Sequence, residues 1–209
     1  MAIHVAVMLV GLNRSLDHTA PSIVSHLLEP LQSSRIFDLS CRIILIHPKD
    51  GVRNPRTNEV GAVTAEVPPS LQSYPVITLD QDTLADHSRE LADELCERGD
   101  TWGDGAQSVR NAVIFLTALR EAWNQVPPEA DVVIFARPDI SIEQSPHVRY
   151  HSAVVWALSR LGLPAIRIPS WGGWRSKKGI NDRFAIASRV AAERYFRRVE
   201  QLPNLLPEG

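Results

Sequence analysis

A chain of 209 residues with 44% hydrophobic and 22% charged residues has the size and balance of one soluble α/β domain, so we expect a single domain over residues 1–209. The formal net charge of -2 excludes a strongly basic surface, and we expect no nucleic-acid partner. No apolar run approaches the ~20 residues that span a bilayer, and the first residues lack a basic signal region. We therefore expect a cytoplasmic protein with no transmembrane segment; its oligomeric state stays open.

Apolar runs and helical spacing alternate along most of the chain. The runs predict strands over residues 3–10, 41–47, 76–79, 131–136 and 164–169, with a short strand or turn over 182–187. Helices are predicted near residues 21–31, 83–98, 108–125, 147–161 and 188–202, with loops over 48–75, 99–105 and 170–179. This alternation predicts an α/β fold of three layers, α/β/α, around a mostly parallel central sheet.

Caps and cysteines complete this reading of the chain. Thr19 or Ser22 could cap the first helix, Asp82 is well placed to cap the second, and Ser188 the last. The two cysteines, at positions 41 and 96, lie far apart in apolar patterns without zinc spacing, which predicts reduced core residues.

The stretch over residues 131–139 is the centre of the predicted sheet. Its β-branched apolar run is typical of a strand buried on both faces, and it ends in Arg137, Pro138 and Asp139. Pro138 cannot donate to a sheet ladder, so strand pairing should stop there. Ligands of open α/β sheets bind just beyond the carboxyl ends of strands, which makes Arg137 and Asp139 candidates for contacting a charged ligand. The alternative is a strand end that carries only solvated charges.

Three common α/β chemistries lack their motifs in this chain. The loop after the first strand has one glycine, Gly11, where a dinucleotide fold has Gly-x-Gly-x-x-Gly, and neither a Walker-type loop nor a Gly-x-Ser-x-Gly elbow occurs. His147 and His151 have helical spacing but no glutamate between them as in a zincin. Arginines and carboxylates at strand ends remain, and these suit a diphosphate bridged by a divalent cation.

The order of these features resembles the GT-A type of nucleotide-sugar glycosyltransferase. The resemblance is carried by Gly-Asp-x-Trp at residues 99–102, Ser-x-x-Asn at 108–111, Arg-Pro-Asp at 137–139 and Asn-Asp-Arg-Phe-Ala at 181–185. In particular, the chain is similar to a group of small glycosyltransferases with RPD and NDRFA signatures. The resemblance implies a GT-A-like fold of the nucleotide-diphospho-sugar transferase type and hexosyl transfer from a nucleotide diphosphate sugar to a hydroxyl acceptor. It also implies Mn²⁺ or Mg²⁺ as a cofactor.

The resemblance also implies roles for individual residues. Asp182 is the expected catalytic base, Asp139 the metal ligand, and Trp171 and Trp174 the acceptor-binding residues. The expected nucleotide-sugar-binding residues are Gly11, Asn13, Arg14, Ser108, Asn111, Arg137, Asn181 and Arg183.

Each of these roles has a plainer structural alternative. Asp182 could only form a salt bridge that shapes its loop, and Ser108 and Asn111 could only cap a helix. The two tryptophans could anchor a loop in the core.

Arg137 stands where the Asp-x-Asp motif of the resembled family has its first aspartate. An arginine there supplies positive charge and not a metal ligand, which leaves Asp139 as the main ligand. A literal Asp-x-Asp occurs at Asp80 and Asp82, with helix capping as its alternative role. The same departure favours the rival hypothesis, a non-catalytic module that binds a nucleotide sugar or another phospholigand.

Overall fold

The computed structural model describes residues 2–49, 51–54, 59–61, 66–99, 103–142, 147–169 and 183–205. Its strands are β1 Ile3–Leu12, β2 Phe37–His47, β3 Val52–Asn54, β4 Glu59–Gly61, β5 Val76–Asp80, β6 Val132–Ala136, β7 Ile166–Arg167 and β8 Phe184–Ser188. Six of them form the central sheet in the order β5-β2-β1-β6-β8-β7, and β3 and β4 form a separate antiparallel pair. Within the central sheet β1, β2, β5 and β6 are parallel neighbours, whereas β8 is antiparallel to both β6 and β7.

Helices connect most of these strands. They are α1 Leu16–Ile23, α2 Glu29–Gln32, α3 Gln81–His87, α4 Arg89–Glu97, α5 Gln107–Trp123, α6 Val148–Arg160, α7 Arg189–Phe196 and α8 Leu202–Leu205. A π-helical stretch, Val24–Leu28, joins α1 to α2, and 3-10 turns lie at Pro69–Leu71 and Arg198–Gln201. Pro21 and Pro30 flank the π-helical stretch. Because proline has no N–H for the α-helical ladder, the two prolines account for the irregularity between them.

The core has two halves, one on each face of the sheet. Alternate residues of β1 point to opposite faces: Val5 and Val7 pack with α1, α2 and α6, whereas Ala6 and Met8 pack with α5 and α7. Because β1 is covered on both faces, its residues form a near-continuous apolar run, as parallel strands do. The predicted three-layer α/β/α arrangement with a mostly parallel central sheet is confirmed.

The first helix begins earlier than the sequence predicts. It starts at Leu16, whose N–H donates to Asn13 Oδ1 at 3.2 Å. Thr19 and Ser22 lie inside it, so neither is its cap. The predicted helix start is wrong because Pro21, a residue type that favours the first turn, lies about one and a half turns inside this helix.

The second helix is capped by a different residue and is split. Asp80 Oδ1 accepts from the Thr83 N–H at 2.8 Å, so Asp80, and not Asp82, is the N-cap of α3. The helix breaks at Ser88, whose hydroxyl donates to the Leu84 carbonyl oxygen at 2.8 Å. A hydroxyl bonded back to the preceding turn competes with the helical ladder and accounts for the break.

Other expectations change in smaller ways. The long loop predicted over residues 48–75 contains the β3–β4 pair and a 3-10 turn, and the strand predicted over 164–169 is only two residues long. Ser188 precedes α7, but its hydroxyl accepts from the Ala165 N–H at 3.0 Å and does not cap the helix. Both cysteines are free thiols, of which Cys41 is buried and Cys96 half-buried. No helix in the described part of the chain is long and apolar enough to cross a membrane.

Candidate functional site

The strand order reverses between β1 and β6. From β1 the chain continues to β2 on one side of the sheet, and it later returns to β6 on the other side. The two strands are parallel and paired up to Leu9 and Ala136, so their carboxyl ends lie side by side. A reversal of this kind opens a crevice at the carboxyl edge, where open α/β sheets bind ligands. We call the residues 11–14, 137–139 and Arg183 around it the β1–β6 crevice.

Gly11 and Pro138 approach each other closely in the crevice. Gly11 has a φ of +152°, and a Cβ at this position would lie 3.0 Å from Pro138 Cδ. A side chain at position 11 would therefore be strained by its backbone and would push the β6 end away. The glycine that the sequence singled out after the first strand serves the close approach of the Arg-Pro-Asp segment.

Helix α1 fixes the same segment from one face of the sheet. The Thr19 hydroxyl donates to the Pro138 carbonyl oxygen at 2.6 Å, and the Ser22 hydroxyl accepts from the Ile142 N–H at 3.1 Å. Both bonds join residues about 120 positions apart in the chain. Sequence reasoning assigned these hydroxyls to helix capping and so missed their contacts with the segment after β6.

Arg137 and Asp139 form a two-bond ion pair in the crevice. Arg137 Nε donates to Asp139 Oδ1 at 2.8 Å, and Nη2 donates to Oδ2 at 2.5 Å. Their side chains are 25% and 14% exposed, so the pair is partly withdrawn from water. The Arg137 guanidinium also lies 5.7 Å from the centroid of the Phe115 ring of α5, within the range of a cation–π contact.

The crevice extends toward β8. The Arg137 N–H donates to the Arg183 carbonyl oxygen at 2.9 Å, which continues the β6–β8 ladder by one bond. Arg183 is exposed, and Arg14, three residues after Gly11, is exposed as well. Three arginines from distant segments therefore belong to neighbouring strand ends.

Asn13 has a structural position in the first loop. Its Nδ2 donates to the Glu66 carbonyl oxygen at 2.7 Å, and its Oδ1 accepts from the Leu16 N–H. Only 4% of Asn13 is exposed. The amide thus ties the loop after β1 to the segment before β5 and starts α1, and its predicted contact with a nucleotide stays a prediction.

The start of α5 carries the next two predicted ligands. Ser108 does not cap the helix. Its own backbone N–H donates to Asp104 Oδ2 at 3.2 Å. Asn111 Oδ1 accepts from Gln107 Nε2 at 3.0 Å. The last turn of α5 precedes the amino end of β6, so the first turns of α5 lie toward the carboxyl edge of the sheet. Ser108 is about 10 Å from Phe115 along the helix axis.

The literal Asp-x-Asp is bridged by a lysine that sequence reasoning missed. Lys49 Nζ lies 3.2 Å from Asp80 Oδ2 and 3.5 Å from Asp82 Oδ2. Hydrogen bonds to the two carboxylates raise the pKa of Lys49, whereas the Thr83 N–H is the main cause that lowers the pKa of Asp80. A cation directly after the second predicted strand was the signal that could have found this contact.

A divalent cation does not fit the described surroundings of Asp139. The protein ligands that Mn²⁺ and Mg²⁺ prefer are carboxylate oxygens, and both oxygens of Asp139 already accept N–H groups of Arg137. Among the residues that the structure describes, no group of three histidine, cysteine, aspartate or glutamate side chains could hold a metal ion.

Four predicted site residues lie outside the described residues: Asn181, Asp182, Trp171 and Trp174. The prediction that the ends near Arg14, Asp139 and Asp182 meet in one crevice can therefore be followed for the first two, whose segments are in contact through Gly11 and Pro138.

Comparisons with known proteins find likenesses among solved structures. No family model and no curated protein matches the chain. Among solved structures, the chain is similar to the crystal structure of mouse xyloside xylosyltransferase 1 in its apo form, with a TM-score of 0.41 and 13% sequence identity. The likeness covers 98% of this chain and 76% of that one.

Proposed function

We propose that the chain is a GT-A type glycosyltransferase that moves a sugar from a nucleotide diphosphate donor to a hydroxyl acceptor at the β1–β6 crevice. The observation that carries the proposal is the contact between Gly11 and Pro138, because it joins the two strand ends at the reversal of strand order. The sequence resemblance depends on the Arg-Pro-Asp and Asn-Asp-Arg-Phe-Ala segments. The first contains Pro138, and the second is joined to it by the hydrogen bond between the Arg137 N–H and the Arg183 carbonyl oxygen.

The charges of the crevice support a diphosphate as the bound group. Arg14, Arg137 and Arg183 supply three guanidinium groups, and planar N–H forks suit phosphate oxygens better than ammonium groups do. A cavity of about 480 Å³ is lined by Asp17 and by Glu66, the residue whose carbonyl oxygen Asn13 binds, and carboxylates there disfavour an anionic ligand. We therefore assign the diphosphate to the crevice.

Asp182 is the group we propose for the chemical step. In an inverting transfer the carboxylate takes the proton of the acceptor hydroxyl, the acceptor oxygen bonds to the anomeric carbon, and the bond from that carbon to the diphosphate breaks. The leaving nucleoside diphosphate then carries the electron pair. In the same proposal Ser108, Asn111 and Asn181 contact the donor, and Trp171 and Trp174 stack on the acceptor.

The test incubates the protein with a panel of nucleotide sugars and hydroxyl acceptors in the presence of EDTA, Mn²⁺ or Mg²⁺. Mass spectrometry measures the nucleoside diphosphate that is released. Asp182→Asn should abolish turnover and leave the unfolding midpoint unchanged, whereas Asp17→Asn, an exposed acid outside the crevice, should keep wild-type turnover. Turnover at the wild-type rate in Asp182→Asn would rule out the proposed role of Asp182.

A second function is favoured by the Arg137–Asp139 ion pair. Since both oxygens of Asp139 are engaged by Arg137, the chain could be a non-catalytic module that binds a nucleotide sugar or another phospholigand. Binding of nucleoside diphosphates without turnover across the same acceptor panel would support this module over the transferase.

A further inference from the structure

Resting on the proposed function, we infer that Arg137, and not a divalent cation, neutralises the diphosphate in the β1–β6 crevice, with Asp139 as the anchor of that guanidinium. In this arrangement Mn²⁺ and Mg²⁺ are not needed for binding the donor. Asp139 is then a positioning residue that acts through Arg137, and not a metal ligand.

The geometry of Asp139 is the first step. Its two oxygens face the Nε and Nη2 groups of Arg137 at 2.8 and 2.5 Å, so one edge of the carboxylate is matched to one edge of the guanidinium. A two-bond fork of this kind is among the stronger and more directional pairings in proteins. A chelated metal ion would need the same edge of the carboxylate and would have to displace the arginine.

Electrostatics makes that displacement unfavourable. A divalent cation on Asp139 would lie beside a guanidinium that stays charged at every accessible pH. The side chain of Asp139 is 14% exposed, so water screens the repulsion between the two cations less than it would at an open surface. Before the donor binds, one carboxylate cannot balance the charges of both cations.

The surroundings of Arg137 fix the position of its charge. Its guanidinium lies against the Phe115 ring, its backbone N–H is bonded to Arg183, and the next residue, Pro138, is held by Thr19. A charged group whose position is set before the ligand arrives stabilises an anion without reorganisation, which is the service a bound metal ion provides elsewhere.

The other candidate for a metal follows the same pattern. Asp80 and Asp82 share the ammonium group of Lys49, at 3.2 and 3.5 Å. These ion pairs are more exposed and weaker than the Arg137–Asp139 pair. Here too, a cation of the chain lies between carboxylates that would bind a metal ion in the resembled motif.

Calorimetric titration of the full chain with uridine, guanosine, adenosine and cytidine diphosphates and with inorganic pyrophosphate tests the inference. For at least one of these probes, the dissociation constants measured in EDTA and in millimolar Mn²⁺ should agree within about threefold. Arg137→Gln should weaken binding about tenfold or more in both buffers, and Arg137→Lys should recover part of the loss, because it restores charge without the fork.

Two matched variants separate anchoring from metal binding. Asp139→Asn should weaken binding by the same factor with and without Mn²⁺, because its effect passes through Arg137. Arg120→Gln breaks a comparable arginine–carboxylate contact, with Glu121 near the far end of α5, and should bind like wild type. Circular dichroism spectra of all variants verify that they are folded.

The outcomes also distinguish the inference from the proposed function. Binding that appears only with Mn²⁺, or a loss in Asp139→Asn confined to the Mn²⁺ buffer, overturns the inference and leaves a metal-assisted transferase. Binding in EDTA without turnover keeps the inference and removes the transferase. Absence of binding for every probe in both buffers overturns the inference, and turnover of nucleotide sugars then decides separately whether the chain is a transferase.

Discussion

Replacing Thr19 by valine removes one hydroxyl group from the contact that holds the β6 end against α1. Thr19 is 5% exposed, and its Oγ1 lies 2.6 Å from the Pro138 carbonyl oxygen. The carbonyl oxygens of Ser15 and Leu16 are 3.1 and 3.5 Å from the same Oγ1, so its single proton belongs to the shortest of the three contacts. Valine keeps the shape of the side chain and has a similar helix propensity, so the substitution isolates the hydrogen bond.

The expected cost follows from the carbonyl group that the substitution leaves behind. A buried acceptor that is left without a donor destabilises a protein by about 1–3 kcal/mol. For a chain of this length each kcal/mol lowers the melting temperature by about 2–4 °C. We therefore expect Thr19→Val to lower the free energy of unfolding by about 1–3 kcal/mol.

Urea denaturation followed by circular dichroism measures this difference. Ser25→Ala is the matched control, because the Ser25 hydroxyl is exposed and lies 3.5 Å from the Ser22 carbonyl oxygen. The control should stay within about 0.5 kcal/mol of wild type, as surface substitutions do. If Thr19→Val also stays within that margin, Thr19 does not hold Pro138 in solution, and the account of how the crevice is positioned is wrong.

Three further predictions concern stability and reactivity. Gly11→Ala should lower the free energy of unfolding by about 1–3 kcal/mol in urea, because alanine at this φ is strained and its Cβ meets Pro138. Asp80→Ala should lower the urea midpoint in the same assay through loss of the α3 cap on the Thr83 N–H, and Asp80→Asn should restore most of the loss. Burial raises the pKa of the Cys41 thiol to about 12, so it should react with Ellman's reagent at about pH 8 only after unfolding.

The strands and the crevice were predictable because their signals are local. A buried parallel strand is a continuous apolar run, and each run ended within a few residues of the predicted boundary, as for β1 and β6. Since ligands of open α/β sheets bind at the carboxyl ends of strands, the positions of Gly11 and Arg137 after two predicted strands place both at one edge of the sheet.

The roles of the polar side chains were not predictable, because their partners are distant in the chain. Asn13 bonds to the carbonyl group of a residue 53 positions away, and Thr19 to one 119 positions away. In the sequence each residue is only a helix-capping type, and nothing local says which backbone group it will meet. The position of Lys49 after the second predicted strand indicates a cation at the carboxyl edge, but its carboxylate partners follow a different strand and could not be identified from it.

The charge balance of the crevice connects its geometry to the proposed chemistry. Among the crevice residues that the structure describes, the guanidinium groups of Arg14, Arg137 and Arg183 exceed the carboxylate of Asp139 by two positive charges. In the proposed transferase Asp182 adds a second carboxylate to this site, so the arginines of the described crevice residues offset part of the charge of a diphosphate. The Arg137–Asp139 pair is the part of this charge balance whose geometry the structure describes. Under the proposed function these arginines also favour the departure of the diphosphate, because the leaving group gains negative charge as the sugar moves.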